Sequence, residues 1–523
     1  MNMSDRLPIR YNPLNDYQNL YTAQEVKEGE KLLCDEQNVD LYDLMKKAGQ
    51  ALYTHLLAHY PQCKTILICC GKGNNGGDGY TLARLLKSNG TDVILWQIPS
   101  ATDLKGDAAK ARDEWLNLGG EIYPPSLENL SVDLIVDALL GIGIKGEVRE
   151  TYSEVINYLN QHSAPILSVD LPSGLCADTG RVLGTAIHAE HTVSLVALKQ
   201  GLFTGQARAY VGELFFAGLE IYSAFTQKYP TRVKLLTKGL TKTLMPKRSP
   251  TAHKGQCGKL LLIGGAHGMG GALILASEAA ARSGVGLLST LTHPMTSTAL
   301  LSRRPEVMVH CVAEDLSFEE HQLFSAHPTI VIGPGLSTQK WGWSRWQELQ
   351  RLHSANSVVL DADALNLLAE QGAWWLDKTL RKQGQQEFQP ILTPHPGEAA
   401  RLLTCSTAEI EHDRFSAVKS LAQKYQAVVV LKGAGTLISD GEQTWICPLG
   451  NAGMASGGMG DVLSGIIGSY VAQGLSPLSA SLLGVYVHSL AADCAVNSYG
   501  CSALLASDLI EALPQVHREL TAQ

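Results

Sequence analysis

The sequence predicts an α/β protein of two domains, each built on a mostly parallel sheet with helices on both faces. Three observations predict it. Short β-branched apolar runs alternate with segments of helix length, the pattern of strands covered on both faces by crossover helices. That alternation lapses between about Ile221 and Lys254, in a stretch of prolines, basic and small residues that reads as a junction. The 523 residues also exceed what one hydrophobic core usually serves. The domains are expected to span 1–225 and 226–523. Their motifs do not align, which argues against an internal repeat.

Composition narrows the class. An apolar share of 45% and a charged share of 18% fit a folded protein. With 42 basic against 50 acidic residues, a net charge of −8 and no basic block, a nucleic-acid scaffold is not favoured. The polar start MNMSDRLPIRYNPLND has no apolar signal core, and no later apolar run is read as approaching the roughly 18 residues of a membrane span. A cytoplasmic location with no membrane partner is therefore expected. Eleven cysteines without a CxxC pair read as free thiols rather than disulfides or a zinc site. Cys69 and Cys70 end an apolar run and are assigned to packing.

Taken in order, Thr22 and Glu25 have capping-box spacing and start a first helix. Leu41, Leu44, Met45, Ala48, Leu52 and Leu56 mark the buried face of a second. TILICC (65–70) then meets the glycine turn GKGNNGGDG (71–79), and a helix through YTLARLLK stops at Asn89 and Gly90. Further strands are DVILWQI (92–98), DLIVDALLGIG (133–143), PILSVDLPSG (165–174) and HTVSLVAL (191–198). Past the junction, KLLLIGG (259–265) leads through a glycine turn into an alanine-rich helix. TIVIGPG (329–335), SVVLDADALN (357–366), PILTPHPGE (390–398) and AVVVLKGAGT (427–436) follow. The last motif, GNAGMASGGMGDVLSGIIGSY (450–470), runs a glycine-crowded loop into a helix with Val462, Leu463, Ile466, Ile467, Tyr470 and Val471 on one face and Gly474 as its stop.

Two places carry chemistry. Gly71 to Gly76 formally satisfies GxGxxG, but the position of the ribose-binding acid reads Leu95, Trp96, Gln97, which argues against ordinary NAD-dependent hydride transfer. The turn remains suited to phosphate, because glycines let backbone amides converge at a helix N-terminus. Asn74, Asn75 and Asp78 add side-chain oxygens, and Asp137, Asp170 and Ser173 follow strands whose carboxyl ends line one edge of a parallel sheet. Hard oxygens of low total charge suit a monovalent cation or a weakly held Mg²⁺. GIGIKGE (141–147) adds a flexible loop, with Lys145 positioned to face a phosphate.

In the second half, amides of Gly458, Met459 and Gly460 at a helix start can hold a transferring phosphoryl group, and Asp461 can accept a proton from an attacking hydroxyl. The plainer reading makes Asp461 a first-turn dipole partner, but capping does not require six glycines between Gly450 and Gly465. No GxxxxGK[ST] occurs, which excludes a P-loop. KGAGT (432–436) is suited to nucleotide phosphate or ribose, and Gly333 and Gly335 to close approach of a ligand. His395 reads equally as a ligand contact or a structural hydrogen bond; Asp361 and Asp363 either orient Mg²⁺ or water or cap the following helix.

NNGGDG, Asp137 with GIGIKGE, and VDLPSG make the first half resemble the YjeF N-terminal, or NAD(P)H-hydrate epimerase, family. GPG, DADALN, TPHPGE, KGAGT and NAGMASGGMGD make the second half similar to ribokinase-like NAD(P)H-hydrate dehydratases. The resemblance covers nearly the whole chain. It implies a Rossmann-like three-layer domain fused to a ribokinase-like one, acting on NADHX and NADPHX, the hydrates that cannot donate hydride. The first domain would interconvert R and S forms; the second would phosphorylate the ring hydroxyl of the S form from ADP or ATP and release phosphate, with ADP favoured by the fused, bacterial-type architecture.

Carried over by residue, the resemblance makes Asp461 the base and Asp170 the group for proton transfer. Asn74, Asn75, Gly76, Gly77, Asp78, Gly141, Ile142, Gly143, Ile144, Lys145, Gly146, Glu147 and Asp170 would hold the hydrate in the first half, and Ala272, Gly335, His395 and Asp461 in the second. Lys432, Gly433, Ala434, Gly435, Thr436 and Gly460 would hold the nucleotide, with Mg²⁺. Asn75, Asp137 and Ser173 would hold a potassium ion. A homo-oligomer is expected. The rival expectation is a small-molecule kinase acting on a vitamin precursor, fused to a non-catalytic nucleotide-binding scaffold.

Overall fold

The computed structural model describes residues 9–10, 19–37, 39–98, 104–126, 130–314, 318–351, 357–376 and 389–522. The polar start read from 1–16 lies outside them except for Ile9–Arg10. The chain forms two compact units, one ending at Val233 and the other beginning at Lys234. Residues 226–233, expected in the second domain, pack with the first. The helix Tyr222–Lys228 buries Phe225 edge-on against Tyr21 at 4.8 Å, and Tyr21 Oη donates to the Tyr229 carbonyl at 3.1 Å.

Among the described residues the sheet of the first unit has seven strands: β1 (Ile9–Arg10), β2 (Thr65–Cys70), β3 (Asp92–Gln97), β4 (Leu134–Ala138), β5 (Ile166–Val169), β6 (His191–Leu195) and β7 (Glu213–Ala217). Their order is β1-β7-β6-β5-β4-β2-β3, parallel except for β1. From β2 the chain goes to β3 on one side and then crosses to β4 on the other. The crevice beyond the carboxyl ends of β2 and β4 is thus the switch point where doubly wound sheets take ligands.

The stretch read as a glycine turn is half helix. The helix Asn74–Ser88 begins at the first asparagine, with Gly73 as its N-cap. Inside it, glycine is needed for packing rather than for turning: a Cβ on Gly77 would lie 2.5 Å from Met45 Cε, and one on Gly76 would lie 2.0 Å from the Gly71 carbonyl oxygen. The Thr22–Glu25 capping box closes as expected, Thr22 N donating to Glu25 at 2.7 Å and Glu25 N to Thr22 Oγ1 at 3.2 Å. Cys69 and Cys70 are fully buried.

In the second unit, β8 (Lys259–Ile263), β9 (Leu287–Thr292), β10 (Met308–Cys311), β11 (Thr329–Ile332), β12 (Ser357–Leu360), β13 (Ile391–Leu392), β14 (Val428–Leu431), β15 (Leu437–Ser439) and β16 (Thr444–Ile446) run in the order β10-β9-β8-β11-β12-β13-β14-β15-β16. Pairing is parallel from β10 to β14, and β15 and β16 follow antiparallel. The sequence pattern missed β9, β10, β15 and β16, which are short or lack a strong β-branched run.

One expectation needs correcting. The helix Pro477–Tyr499 spans 23 residues and is long and apolar enough to cross a membrane by length and composition. Scattered serines hid this in the sequence. Buried Ala480, Leu483, Tyr486, Val487 and Ala491 belong to the core of the second unit, where the helix packs on Met459–Ala472 and Ala506–Thr521.

The helix Met459–Ala472 lies against Gly270–Arg282 so closely that a Cβ on Gly465 would sit 2.2 Å from the Ala276 carbonyl oxygen. At Gly457 the same atom meets open space. Gly465→Ala should therefore cost about 1–3 kcal/mol through overpacking, and Gly457→Ala less than about 0.5 kcal/mol. Urea denaturation of the two variants, followed by tryptophan fluorescence, checks the contrast.

Candidate active sites

At the switch point of the first unit lies a cavity of about 660 Å³. The amino end of the helix Asn74–Ser88 supplies Asn74, Asn75 and Asp78; the loop after β4 supplies Gly141, Ile142, Gly143, Ile144, Lys145 and Glu147; the end of β5 supplies Asp170. Gly76, Gly77, Gly146, Asp137 and Ser173 do not line it. Gly76 and Gly77 bring the helix close to its neighbours instead.

Asp137 is fully buried and accepts four hydrogen bonds: Ser168 Oγ at 2.9 Å, Ser173 N at 2.8 Å, Leu139 N at 3.3 Å, and Ser173 Oγ. Burial lifts its carboxyl above the usual range, against the pull of these donors. Ser173 Oγ in turn accepts from Leu140 N at 2.8 Å. That link ties the pair to the loop carrying Gly141, where an added Cβ would lie 3.1 Å from Asn75 Cβ. Asn75 Nδ2 is buried with no hydrogen-bond partner. One carboxylate, an amide and a hydroxyl are a hard-oxygen donor set of single charge, which fits a monovalent cation by donor type.

Asp170 departs from ordinary backbone geometry, with φ of +68°. Its amide donates to Val193 O at 2.8 Å, and its carboxylate accepts Leu195 N at 2.9 Å and the ammonium of Lys199. Lys199 is 1% exposed and also donates to Leu195 O at 2.7 Å. A costly conformation over-determined by such contacts marks functional sites. Asp78 is pushed well above the carboxylate range by burial, then by Asp170 and Glu30. Lys199 and Glu30 were missed in the sequence. The available signals were a lysine just after the β6 run, and an acid sharing the buried stripe of Val26, Leu33 and Cys34.

The second site collects the carboxyl ends of β11, β12, β13 and β14. Asp361, 1% exposed after β12, accepts Lys432 Nζ at 2.9 Å and Thr393 Oγ1 at 2.8 Å. Lys432 follows β14 and also stands 3.8 Å from Glu398. Burial works to lower the Lys432 pKa, but the carboxylates of Asp361 and Glu398 outweigh it and hold the ammonium above its ordinary value. Glu398 is lifted by burial, with Lys432 opposing. The helix Met459–Ala472 points its amino end here: a Cβ on Gly460 would be 3.1 Å from Lys432 Nζ and 4.0 Å from Asp361 Oδ2. Its N-cap, Gly458, has φ of +88°, a conformation natural to glycine. Asp461, in the first turn, is raised to about 7 by burial and by Asp361, with Lys432 opposing and Glu398 and Asp363 adding.

Several alternatives resolve. Asp361 and Asp363 do not cap the helix Asp363–Gln371, whose N-cap Ala362 has no side-chain cap bond; Asp363 instead accepts Ser337 N at 2.8 Å. His395 makes structural hydrogen bonds, Nδ1 accepting Gly397 N at 2.9 Å in a capping box with Glu398. Its Nε2 edge is 3.5 Å from Glu398 Oε1. Gly335 approaches the chain at Met269, where a Cβ would lie 2.3 Å from the carbonyl oxygen, and Ala272 is half-buried in the first turn of Gly270–Arg282. Thr436 Oγ1 donates to Gly433 O at 3.1 Å, folding the 432–436 loop on itself.

Of the six glycines counted as an anion loop, Gly465 serves helix packing, Gly453 packs near Cys501 O and Gly450 against Met454, which leaves Gly457, Gly458 and Gly460 at the helix start. The sequence reading also passed over two anchors. Asp493 accepts Gly450 N at 2.9 Å and Asn451 Nδ2 at 2.8 Å, while buried His488, kept neutral with its pKa lowered to about 4 by burial, donates from Nε2 to Met459 O at 3.0 Å. Among the described residues no three His, Cys, Asp or Glu side chains form a ready metal cage. The acid cluster fits Mg²⁺ only as an ion carried in with phosphates, which needs one or two protein carboxylates.

Comparison with known proteins agrees with this division. Residues 260–515 match the family described as NAD(P)H-hydrate dehydratase, and residues 41–201 the family described as YjeF-related protein N-terminus. The chain is 47% identical over 498 residues to the bifunctional NAD(P)H-hydrate repair enzyme Nnr of Vibrio cholerae, covering 95% of this chain and 97% of that one. It is 43% identical over 510 residues to the protein of the same name from Escherichia coli, covering 97% and 96%. A solved structure of the ADP/ATP-dependent NAD(P)H-hydrate dehydratase from Bacillus subtilis, co-crystallized with ATP/Mg²⁺, is 30% identical, covers 55% of this chain and 98% of that one, and superposes with a TM-score of 0.47. The chain belongs to the family of bifunctional NAD(P)H-hydrate repair enzymes.

Proposed function

We propose that the protein restores hydrated nicotinamide cofactors at two sites: the first unit interconverts the R and S forms of NADHX and NADPHX, and the second dehydrates the S form to NADH or NADPH using ADP or ATP. The observation that carries the second step is Asp461 in the first turn of a helix whose amino end opens beside Lys432. Asp461 takes the proton as the ring hydroxyl attacks the terminal phosphoryl group. The amides at Gly458 to Gly460 and the charge of Lys432 receive the phosphoryl oxygens. Loss of phosphate and of a neighbouring ring proton then re-forms the double bond, so the phosphate ester is an intermediate and not a product. That accounts for kinase-like machinery in an enzyme with an unphosphorylated product and disfavours the vitamin-kinase reading.

Gly433, Ala434, Gly435 and Thr436 are proposed to wrap the nucleotide, and Gly335, His395 through its Nε2 edge, and Ala272 to face the hydrate. Mg²⁺ would supply charge neutralisation on the phosphates, held by them together with a carboxylate of the Asp361–Glu398 cluster. In the first unit the cavity-lining residues would hold the hydrate, Asp170 would transfer the proton, and Asn75, Asp137 and Ser173 would hold potassium.

Asp461→Asn should lower turnover of S-NADHX by roughly 10²–10⁴-fold while largely sparing nucleotide affinity. Absorbance of regenerated NADH and nucleotide titration check the two halves. In the wild type kcat/KM should rise with pH through about 7, since the base must be ionised. The same carboxyl titrates near 3.8 when unfolded and about 7 when folded, so it costs stability progressively as pH rises across that window. Asp461→Asn should therefore be the more stable protein above pH 7, by on the order of 1–3 kcal/mol, in thermal melts compared at pH 5 and 8.

Asp170→Asn should leave dehydration of the S form intact and reduce consumption of the R form to its spontaneous rate; equal R consumption in both proteins would remove Asp170 from the reaction. Exchange of potassium for lithium should slow R consumption in the wild type and lower the melting temperature of the first unit, and Asn75→Ala should abolish both differences.

A further inference from the structure

Helix Ala23–Gln37 places a carboxyl where its buried face calls for an apolar side chain. Val26, Leu33 and Cys34 are buried on that face, and Glu30 shares it at helical spacing. Glu30 lines the cavity of the first unit together with Asp78 and Asp170. The buried ammonium among these three acids is Lys199, and its direct ion-pair partner is Asp170. Lys27, Lys72, Lys145 and Arg149 also line the cavity, but all four are exposed. Among the less exposed groups, Glu30, Asp78, Asp107 and Asp170 outnumber Lys199, an arrangement that favours a cationic intermediate over an anionic one.

The chemistry of the hydrate calls for such a site. A dihydronicotinamide ring is an enamine, so water adds with its hydroxyl on the carbon bonded to the ring nitrogen. That carbon inverts when the hydroxyl is protonated, the C–O bond breaks to release water, and the nitrogen lone pair forms a C=N⁺ bond. Water then adds to the other face and gives up a proton. The two faces need two proton-transfer groups, and no oxidant or reductant is consumed.

We propose that Glu30 is the proton donor to the departing hydroxyl, and that Asp170, oriented by Lys199, takes the proton from the water entering on the opposite face. The inference rests on the epimerase reading above and assigns its second group. In the reverse direction the roles exchange. Burial, with Lys199 opposing and Asp170 reinforcing, brings Glu30 to about 7, where it can both give and take a proton near neutrality. Asp78 is likewise held well above the carboxylate range, by burial first and then by Asp170 and Glu30. The charged and titratable groups that face Glu30 are Asp78, Asp170 and Lys199 from other elements, and Cys34 and Lys27 on its own helix.

The test uses the full-length protein, purified R-NADHX and S-NADHX, and ADP, with NADH absorbance read from pH 5.5 to 9. In the wild type, R consumption should fall as pH rises past about 7, when Glu30 loses its proton. Glu30→Gln should lower kcat for the R form by roughly 10²–10⁴-fold, with KM changed less than about threefold, remove that alkaline limb, and leave S dehydration unchanged. Glu30→Asp should recover part of the rate with the limb restored. Undiminished R consumption in Glu30→Gln would overturn the proposal, as would a slower variant that keeps the wild-type pH profile, or a Glu30→Asp protein that recovers nothing although its melting temperature matches the wild type. A wild type that fails to accelerate R loss over buffer removes the epimerase reading itself and this inference with it; a deficit confined to the variants bears on Glu30 alone.

Discussion

Both sites depend on one imbalance: a lysine largely withdrawn from solvent, Lys199 at 1% and Lys432 at 19% side-chain exposure, set among more carboxyl groups than it can neutralise. In the first unit Lys199 is committed to Asp170, with Glu30 and Asp78 lining the same cavity. In the second, Lys432 is shared between Asp361 and Glu398, with Asp461 beside them. Removing any of these lysines would leave carboxylates buried without compensation, a far larger penalty than loss of a surface pair. Burial first, and the neighbouring carboxylates Asp170 and Asp361 after it, bring Glu30 and Asp461 to about 7 against the opposing lysines, where a carboxyl can exchange protons at neutral pH.

The parallel sheets set where this imbalance is built. Strands covered by helices on both faces are largely apolar along their length, so charged side chains collect where the chain enters or leaves the sheet. Asp137, Asp170, Asp361, His395 and Lys432 all stand at or just past a strand's carboxyl end. Helix amino ends arrive at the same edge, which brings backbone donors to the acids' neighbourhood at Asn74 and at Gly458 to Gly460. Supporting groups act from behind: Asp493 and His488 hold the loop and helix start that present Asp461, and Ser168 and Ser173 saturate Asp137.

Glycine was the feature hardest to read from the chain. The run at 71–79 looks like one turn, yet it divides into a short loop and the first turns of a helix, where Gly76 and Gly77 are required by close contact with Gly71 and Met45 rather than by backbone direction. At 450–465 the same confusion inflates an anion loop: Gly465 is a close-packing residue facing Ala276, Gly458 packs toward Leu275 and Ala506, and Gly460 is the one that adjoins Lys432 and Asp361. A glycine that frees the backbone and one that admits a neighbour are identical in sequence.

What the sequence by itself determined was the α/β class, the order of the strands that carry the site motifs, and the polar residues at their ends, since covalent order and hydrophobic period are enough to place a polar residue at the end of a buried strand. The motifs also named Asp170 and Asp461. Only the tertiary structure decided which acids share a cation, because ion pairing between Lys199 and Asp170, or between Lys432, Asp361 and Glu398, depends on crossovers of 29 and 71 residues that no local pattern encodes. It also decided that Glu30, on a helix read only for its cap, faces the first cavity. Proton affinity is a property of the whole surrounding field, and that field exists only once the sheet has been assembled.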